Sequence, residues 1–157
     1  MLAVAPACAA PTAPNKNAAA TAVIGTAASF RKLQDMDFGA LAVAGAGTAT
    51  IDPNTDTMTV TGGIVQIGGR AYAAAFETVA PRRSRVLIKA PNQPITLTRV
   101  GGTETMTLGN FTISGSSSRN VNSGDPIQFK VGGTLTVNAG QVEGTYVGTF
   151  PVDVNYN

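Results

Sequence analysis

The chain ends in a stretch of alternating apolar and polar side chains, Gly144-Thr-Tyr-Val-Gly-Thr-Phe-Pro-Val-Asp-Val-Asn-Tyr-Asn157. The large apolar side chains all fall on one parity: Phe150, Val152, Val154 and Tyr156. A period of two predicts a β-strand with one buried face and one wet face. Pro151 lacks the N–H of a ladder hydrogen bond, which places this part of the strand at a sheet edge. An apolar edge strand invites pairing with another strand, so the function depends on what covers this edge.

The composition indicates a single β-rich domain. The chain has 157 residues, enough for one domain with a core, and only 13% of them are charged. It contains no histidine and one cysteine, so it cannot form a Ser-His-Asp or Cys-His site and lacks the usual zinc ligands. Glu77 and Glu104 have no spacing that indicates a glycosidase pair. We therefore predict a protein that is not an enzyme and has no metal or cofactor. The net charge of +2 gives no argument for a nucleic-acid partner.

The first residues resemble the end of a secretory signal, with Ala7 and Ala9 in a small-residue cleavage pattern. The segment lacks a basic region and its apolar stretch is short, so we interpret residues 1–16 as a signal remnant or a flexible linker. Cys8 would be lost on cleavage, or it would be lipidated if the preceding Ala-Pro-Ala served as a lipobox. No stretch of the sequence is apolar enough and long enough to span a membrane.

Turn signals recur every 8–12 residues after position 48, with no helical pattern between them, and predict a sandwich of two antiparallel sheets. Residues 17–29 are rich in alanine, which favours a helix, but Val23, Ile24 and the break at Gly25 favour an extended strand. We predict a separate N-terminal strand over residues 17–29 and a sandwich domain over residues 30–157. The strands expected within the sandwich before the closing one are 48–51, 57–67, 71–79, 86–90, 95–100, 105–114, 127–131 and 135–137.

Two polar motifs have simple structural interpretations. The spacing of Asp52-Pro-Asn-Thr-Asp56 is similar to the start of a calcium loop, but Thr57 stands where that loop needs glycine and Gly63 where it needs glutamate. A Pro-Asn turn is the better interpretation. The cluster of Arg82, Arg83 and Arg85 has no interleaved aromatic residues and is interpreted as a solvated loop between strands.

Three segments carry a family resemblance: Met36-Asp-Phe-Gly-Ala-Leu41, Phe129-Lys-Val-Gly-Gly-Thr-Leu-Thr-Val137, and the closing stretch up to Tyr156. Together they resemble a poorly characterised family of secreted proteobacterial β proteins. More distantly, they are similar to the pilins of archaic chaperone–usher fimbriae, which include the spore-coat-U-like subunits. The likeness covers residues 17–157. Two features depart from the pilin pattern: the N-terminal strand is richer in alanine, and Pro151 interrupts the closing strand.

The resemblance implies an immunoglobulin-like sandwich that lacks one strand and is completed by a donor strand from a neighbouring subunit. The expected donor side chains are Ala18, Ala20, Ala22 and Ile24. The expected acceptor groove is lined by Phe129, Val131, Phe150, Val152, Val154 and Tyr156. The implied function is that of a structural subunit of a surface filament, reached through the periplasm with a chaperone and an usher as partners. Its other partners would be further copies of this chain, joined head to tail.

A different class of function stays open from the sequence. The N-terminal strand would then fold back into its own groove, and the protein would be a self-contained secreted binding module, such as an adhesin or a glycan-binding protein. We expect the span from residue 30 to residue 41 to decide between the two, because a strand leading away from the groove makes self-insertion sterically difficult.

Overall fold

The structure, a computed structural model, describes residues 28–157. The predicted signal remnant and the predicted donor side chains Ala18, Ala20, Ala22 and Ile24 lie outside the described residues. Ser29, which the sequence analysis assigned to the donor segment, is instead the first residue of a strand of the sandwich.

Residues 28–157 form strands joined by turns and contain no helix. The prediction of an all-β fold is therefore confirmed. The strands are β1 (Ser29–Gln34), β2 (Ala40–Asp52), β3 (Thr57–Gly68), β4 (Ala74–Val79), β5 (Ser84–Lys89), β6 (Ile95–Arg99), β7 (Thr105–Ile113), β8 (Ser118–Val121), β9 (Ile127–Val137), β10 (Tyr146–Val147) and β11 (Asp153–Tyr156).

Two antiparallel sheets build the molecule. The larger sheet has the strand order β1-β4-β9-β7-β6-β10, and the β2–β3 hairpin joins it where β2 pairs with the second half of β9. The smaller sheet has the order β11-β5-β8. Every strand pair in both sheets is antiparallel. The predicted antiparallel sandwich-like architecture is confirmed.

Two groups of buried apolar side chains form the core. The first core cluster lies within the curl of the larger sheet and includes Ala49, Ile51, Ile64, Leu97, Leu108, Leu135 and Val137. The second core cluster lies between the larger and the smaller sheet and includes Phe76, Val86, Ile88, Val121, Phe129 and Val131. Burial of apolar surface is the main favourable term in folding, so these clusters fix the positions of both sheets.

The observed strands differ from the predicted ones mainly at glycines and short polar segments. We expected separate strands at 127–131 and 135–137, but β9 runs unbroken through Gly132 and Gly133. The strand expected at 48–51 is part of the much longer β2, and the one expected from residue 71 begins at Ala74. The sequence analysis missed β8 and β10, which are short.

The two polar motifs lie in turns, as expected. Asp52 accepts a hydrogen bond from the N–H of Asn54 at 2.8 Å, which closes the turn between β2 and β3. Asp56 does not face an ion site; it pairs with Lys130 and accepts the N–H of Ala73 at 3.1 Å. Arg82 and Arg83 are exposed in the turn between β4 and β5, as expected for a solvated loop, whereas Arg85 lies on β5.

Candidate functional site

Strand β11 is an edge strand whose outer side has no partner among the described strands. Asn157 and Arg85 exchange two backbone hydrogen bonds, of 2.9 and 2.7 Å. Because hydrogen-bonded and non-bonded pairs alternate along an antiparallel ladder, Asn155 also bonds to β5, whereas Val154 and Tyr156 direct their N–H and C=O groups away from it. The outer side therefore presents backbone donors and acceptors to a further strand.

The side chains of this edge face the core. Phe150, Val152, Val154 and Tyr156 are half-buried and pack against the second core cluster, while the residues between them are exposed. The alternation predicted for the chain end is thus confirmed in the burial of its side chains. The strand itself is shorter than predicted, because β11 begins at Asp153 and Pro151 precedes it. A strand added beside β11 would continue a half-buried face rather than begin a new one.

Two of the predicted groove residues lie deeper than the others. Phe129 and Val131 are on β9 and are fully buried in the second core cluster. The structure therefore brings all six predicted groove residues to one cluster, with these two forming its floor. Whether they line a groove that accepts a strand stays a prediction.

Near β1, three phenylalanine rings form a stack that includes two residues of the second core cluster. Phe30, Phe76 and Phe129 stack with ring centroids 5.4 to 6.2 Å apart. Phe30 is 41% exposed, although its ring lies on two buried rings. Strand β1 is exposed along its whole length and pairs with β4. The second core cluster is therefore only partly covered near β1.

A hydrogen-bond cluster joins the start of β1 to the end of β11. The hydroxyl of Thr78 donates to the carbonyl oxygen of Ser29 at 2.9 Å. The hydroxyl of Tyr156 lies 2.6 Å from that of Thr78 and 3.3 Å from the same carbonyl oxygen. Thr78 is fully buried, so its hydroxyl needs these partners. The start of β1 therefore lies next to the side chain of Tyr156.

Six of the strands follow the order of an immunoglobulin constant-type sandwich. Such a domain has strands A, B, E and D in one sheet and C, F and G in the other. In the order across the sheets, β1, β4, β9 and β7 occupy the positions of A, B, E and D, while β5 and β11 occupy those of C and F. The strands without a counterpart are β2, β3, β6, β8 and β10. Among residues 28–157, no strand occupies the position of G, beside β11.

The two glutamates considered as a catalytic pair are each engaged in an ion pair. Glu77 on β4 accepts hydrogen bonds from Gln128 at 3.0 Å and from Arg31 at 2.9 Å, and these bonds lower the pKa of the Glu77 carboxyl. Glu104 pairs with Arg99 at 2.6 Å, and this hydrogen bond likewise lowers its pKa. Both carboxylates are held in the charged form by arginine partners. Such an environment suits structural ion pairs rather than a general acid.

The described residues contain no group of three or more acidic or thiol side chains placed to hold a metal ion. What the edge of β11 offers chemically is main-chain hydrogen bonding together with apolar contact, which is the recognition mode of β-augmentation.

Sequence reasoning missed four residues of this site: Ser29, Phe30, Phe76 and Thr78. The alternation of Ala74, Phe76 and Thr78 was readable within the strand expected at 71–79, and it marks the face that meets the second core cluster. Phe30 continues the apolar parity of Ala28, but local spacing gave no sign that its ring packs on Phe76 and Phe129.

Residues 28–156 match the model of a family described as a domain of unknown function, DUF4402. The match covers most of the chain and nearly the whole of the described structure, so the chain belongs to this family. Comparison with curated proteins gave no significant match. Comparison with solved structures gave none either. Within residues 28–157 there is no helical stretch with the length and apolarity needed to cross a membrane.

Proposed function

We propose that this protein is a structural subunit of a bacterial surface filament. In this proposal, residues 17–27 of one copy add as a strand to the outer side of β11 in the next copy. The observation that carries the proposal is the open edge of β11, where outward-directed backbone groups accompany a half-buried apolar face. The vacant position beside β11 in the strand order supports it as well.

The contribution of such a strand comes from two sources. Pairing would satisfy the backbone groups of Val154 and Tyr156 and remove an edge that is otherwise open to aggregation. Side-chain burial contributes ~0.8 kcal/mol per CH₂ group. Ala18, Ala20 and Ala22 therefore add little each, and Ile24 is the largest apolar side chain of the predicted donor face.

Assembly of this kind is head-to-tail. Each copy donates at its N-terminus and accepts at β11, and a heterologous contact that does not close propagates as a filament. The wider setting follows the pilin resemblance: transit through the periplasm, a chaperone that protects the open edge, an outer-membrane usher, and an extracellular filament at the cell surface.

The test compares the full chain with a variant lacking residues 1–27, by size-exclusion chromatography with light scattering. The truncation stops before Ser29, so it keeps the contact of Ser29 with Tyr156. We expect concentration-dependent polymers from the full chain. The truncated protein should become a stable monomer with one bound peptide when a synthetic peptide of residues 17–27 is added. A full chain that stays monomeric at high concentration would overturn the filament proposal and favour the self-complemented binding module.

A pair of matched substitutions locates the acceptor. Val154→Asp places a charge on the half-buried face of β11, whereas Val147→Asp places the same charge on the exposed β10. We expect the first substitution to abolish polymers and the second to leave them unchanged. Equal effects of both would show that assembly does not use β11.

A further inference from the structure

A polar cleft of about 360 Å³ lies on the outer face of the larger sheet, and none of its lining residues is on β11. Leu108 and Leu135 point into the first core cluster. Because side chains alternate along a strand, Thr107, Thr134 and Thr136 point to the opposite, outer face, where they form the base of the cleft. The volume is in the range of about 300–1,000 Å³ that is usual for small-molecule sites.

The lining of this cleft is polar and uncharged. It combines the three threonine hydroxyls with the side-chain amides of Asn92 and Asn110, and it contains no charged side chain. Each amide and each hydroxyl can both donate and accept hydrogen bonds. Thr134 bonds to the hydroxyl of Thr50 at 2.9 Å. The side chains of Asn92, Thr107, Asn110 and Thr136 make no hydrogen bond to other groups of residues 28–157. The cleft therefore offers several free groups of both kinds.

A local distortion of β7 places one of these amides. The pairing of β7 with β9 shifts register between Gly109 and Thr112, which is a β-bulge, and Asn110 within it has a positive φ of 47°. Bulges re-aim side chains and are common beside binding sites, and a non-glycine residue at positive φ is held there only by its surroundings. Here the bulge brings the side chain of Asn110 to the wall of the cleft.

The opposite wall is a rigid loop between β5 and β6. Pro91 and Pro94 restrict the backbone on both sides of Asn92, and Pro94 packs over Gly109, whose missing side chain leaves that space. A Cβ atom at Gly109 would stand 3.1 Å from that of Pro94. The wall is consequently set before any ligand arrives, which lowers the ordering cost of binding.

From these observations we infer that the cleft binds an uncharged polyhydroxylated ligand, namely a short stretch of a neutral polysaccharide. Sugar hydroxyls are both donors and acceptors, as are the five polar side chains of the cleft. A phosphate or an acidic sugar would find no cationic partner here, and desolvating its charge without one is unfavourable. Phe111 also lines the cleft, and its ring packs on Phe150 with the centroids 5.0 Å apart. No lining residue of the cleft is on β11, so the inference does not rest on the proposed addition of a strand there.

The experiment is titration calorimetry of the full chain with three probes: cellohexaose, mannohexaose and the acidic hexagalacturonate. Two variants each remove one polar group of the cleft. Thr107→Val keeps the shape of the side chain, and Asn110→Gly tolerates the positive φ. Thr98→Val is the matched control, because Thr98 lies on β6 outside the cleft.

We expect at least one neutral hexaose to bind, and hexagalacturonate to bind far more weakly. The dissociation constant for the neutral sugar should rise about five- to tenfold in each cleft variant, as for the loss of one hydrogen bond, and should not change in Thr98→Val. The inference is overturned if neither neutral sugar binds at millimolar concentration. It is overturned equally if both cleft variants bind like the wild type, or if the acidic sugar binds as tightly as the neutral one.

Discussion

At Gly132 the backbones of β9 and β2 approach so closely that no side chain fits between them. A Cβ atom there would stand 2.2 Å from the carbonyl oxygen of Ile51 and 2.7 Å from Cδ of Pro53. Gly132 is also fully enclosed within the sheet. The glycine therefore allows β9 to continue through the point where we expected a break.

Replacement of this glycine should destabilise the fold. We expect Gly132→Ala to lower the free energy of unfolding by about 1–3 kcal/mol, the usual cost of overpacking, because rigid backbone atoms must move apart. Gly68→Ala is the control, since its Cβ would meet nothing closer than Ala40 at 3.8 Å. Urea denaturation of the two variants measures the difference. Equal stabilities would contradict the close approach of β2 and β9.

A second effect at the scale of single residues is the ion pair of Asp56 with Lys130. Burial acts to raise the pKa of Asp56, but it is outweighed by the hydrogen bonds from Lys130 and from the N–H of Ala73, together with the charges of Lys130 and Arg70. The pKa of Asp56 is therefore lowered in the folded state. The resulting stabilisation is complete above about pH 4 and is lost as the pH falls through the lowered pKa.

We therefore expect Asp56→Asn to weaken the dependence of stability on pH below about pH 4, while also lowering stability at neutral pH. Asparagine adopts a positive φ such as the 53° at this position about as readily as aspartate. The substitution therefore adds no backbone strain to the difference in stability between Asp56→Asn and the unsubstituted protein. Asp35→Asn removes an exposed ion pair with Lys32 and should change little. Thermal melts at a series of pH values test this. An unchanged acid dependence in Asp56→Asn would show that the pair does not stabilise the fold.

At the scale of strands, β11 has two chemically different sides. Asn155 gives its N–H to β5, whereas Val154 directs its N–H to the open side. The sequence predicted this strand well, because the alternation from Phe150 to Tyr156 depends only on local spacing. It did not predict β8 or β10, because they are short and their side chains show no apolar alternation. Nor did it predict the role of Phe30, because the stacking of its ring on residues from distant segments cannot be deduced from local spacing.

Proline substitutions at two neighbouring positions of β11 distinguish an effect on folding from an effect on assembly. Val154→Pro removes a donor from the open side and leaves the bonds to β5, so we expect a folded protein with weakened assembly. Asn155→Pro removes a donor from the ladder with β5, so we expect a lowered melting temperature as well. Circular dichroism reports the fold and light scattering reports the polymers. Normal assembly of Val154→Pro would mean that the open side of β11 is not used.

At the scale of the whole molecule, the strand order places β1 and β11 at the edges of the two facing sheets, with one position beside β11 vacant among the described strands. Local patterns predicted the all-β sandwich, because turns and alternation recur along the chain. Strands β1 and β4 pair with each other although the β2–β3 hairpin separates them in the sequence. This pairing depends on contacts between distant segments and was not predicted. The hydrogen bond of Tyr156 to Ser29 belongs to the same class of long-range contact.

Head-to-tail assembly predicts a chain terminator. A protein lacking residues 1–27 keeps the acceptor edge but has no donor, so a small amount of it should shorten the polymers of the full chain. The same truncated protein with Val154→Asp should not shorten them, because it can neither donate nor accept. Light scattering of the mixtures gives the mean length. Shortening by both proteins would point to a contact other than strand addition at β11.

The most direct test of the account is amide hydrogen exchange in residues 28–157, followed by NMR with and without a peptide of residues 17–27. The account predicts that the amides of Val154 and Tyr156 exchange rapidly in the free protein and become strongly protected when the peptide binds. The amide of Asn155, already bonded to β5, should change much less. If the peptide binds and these two amides remain unprotected, or if it does not bind, the open edge of β11 is not the acceptor of a donor strand.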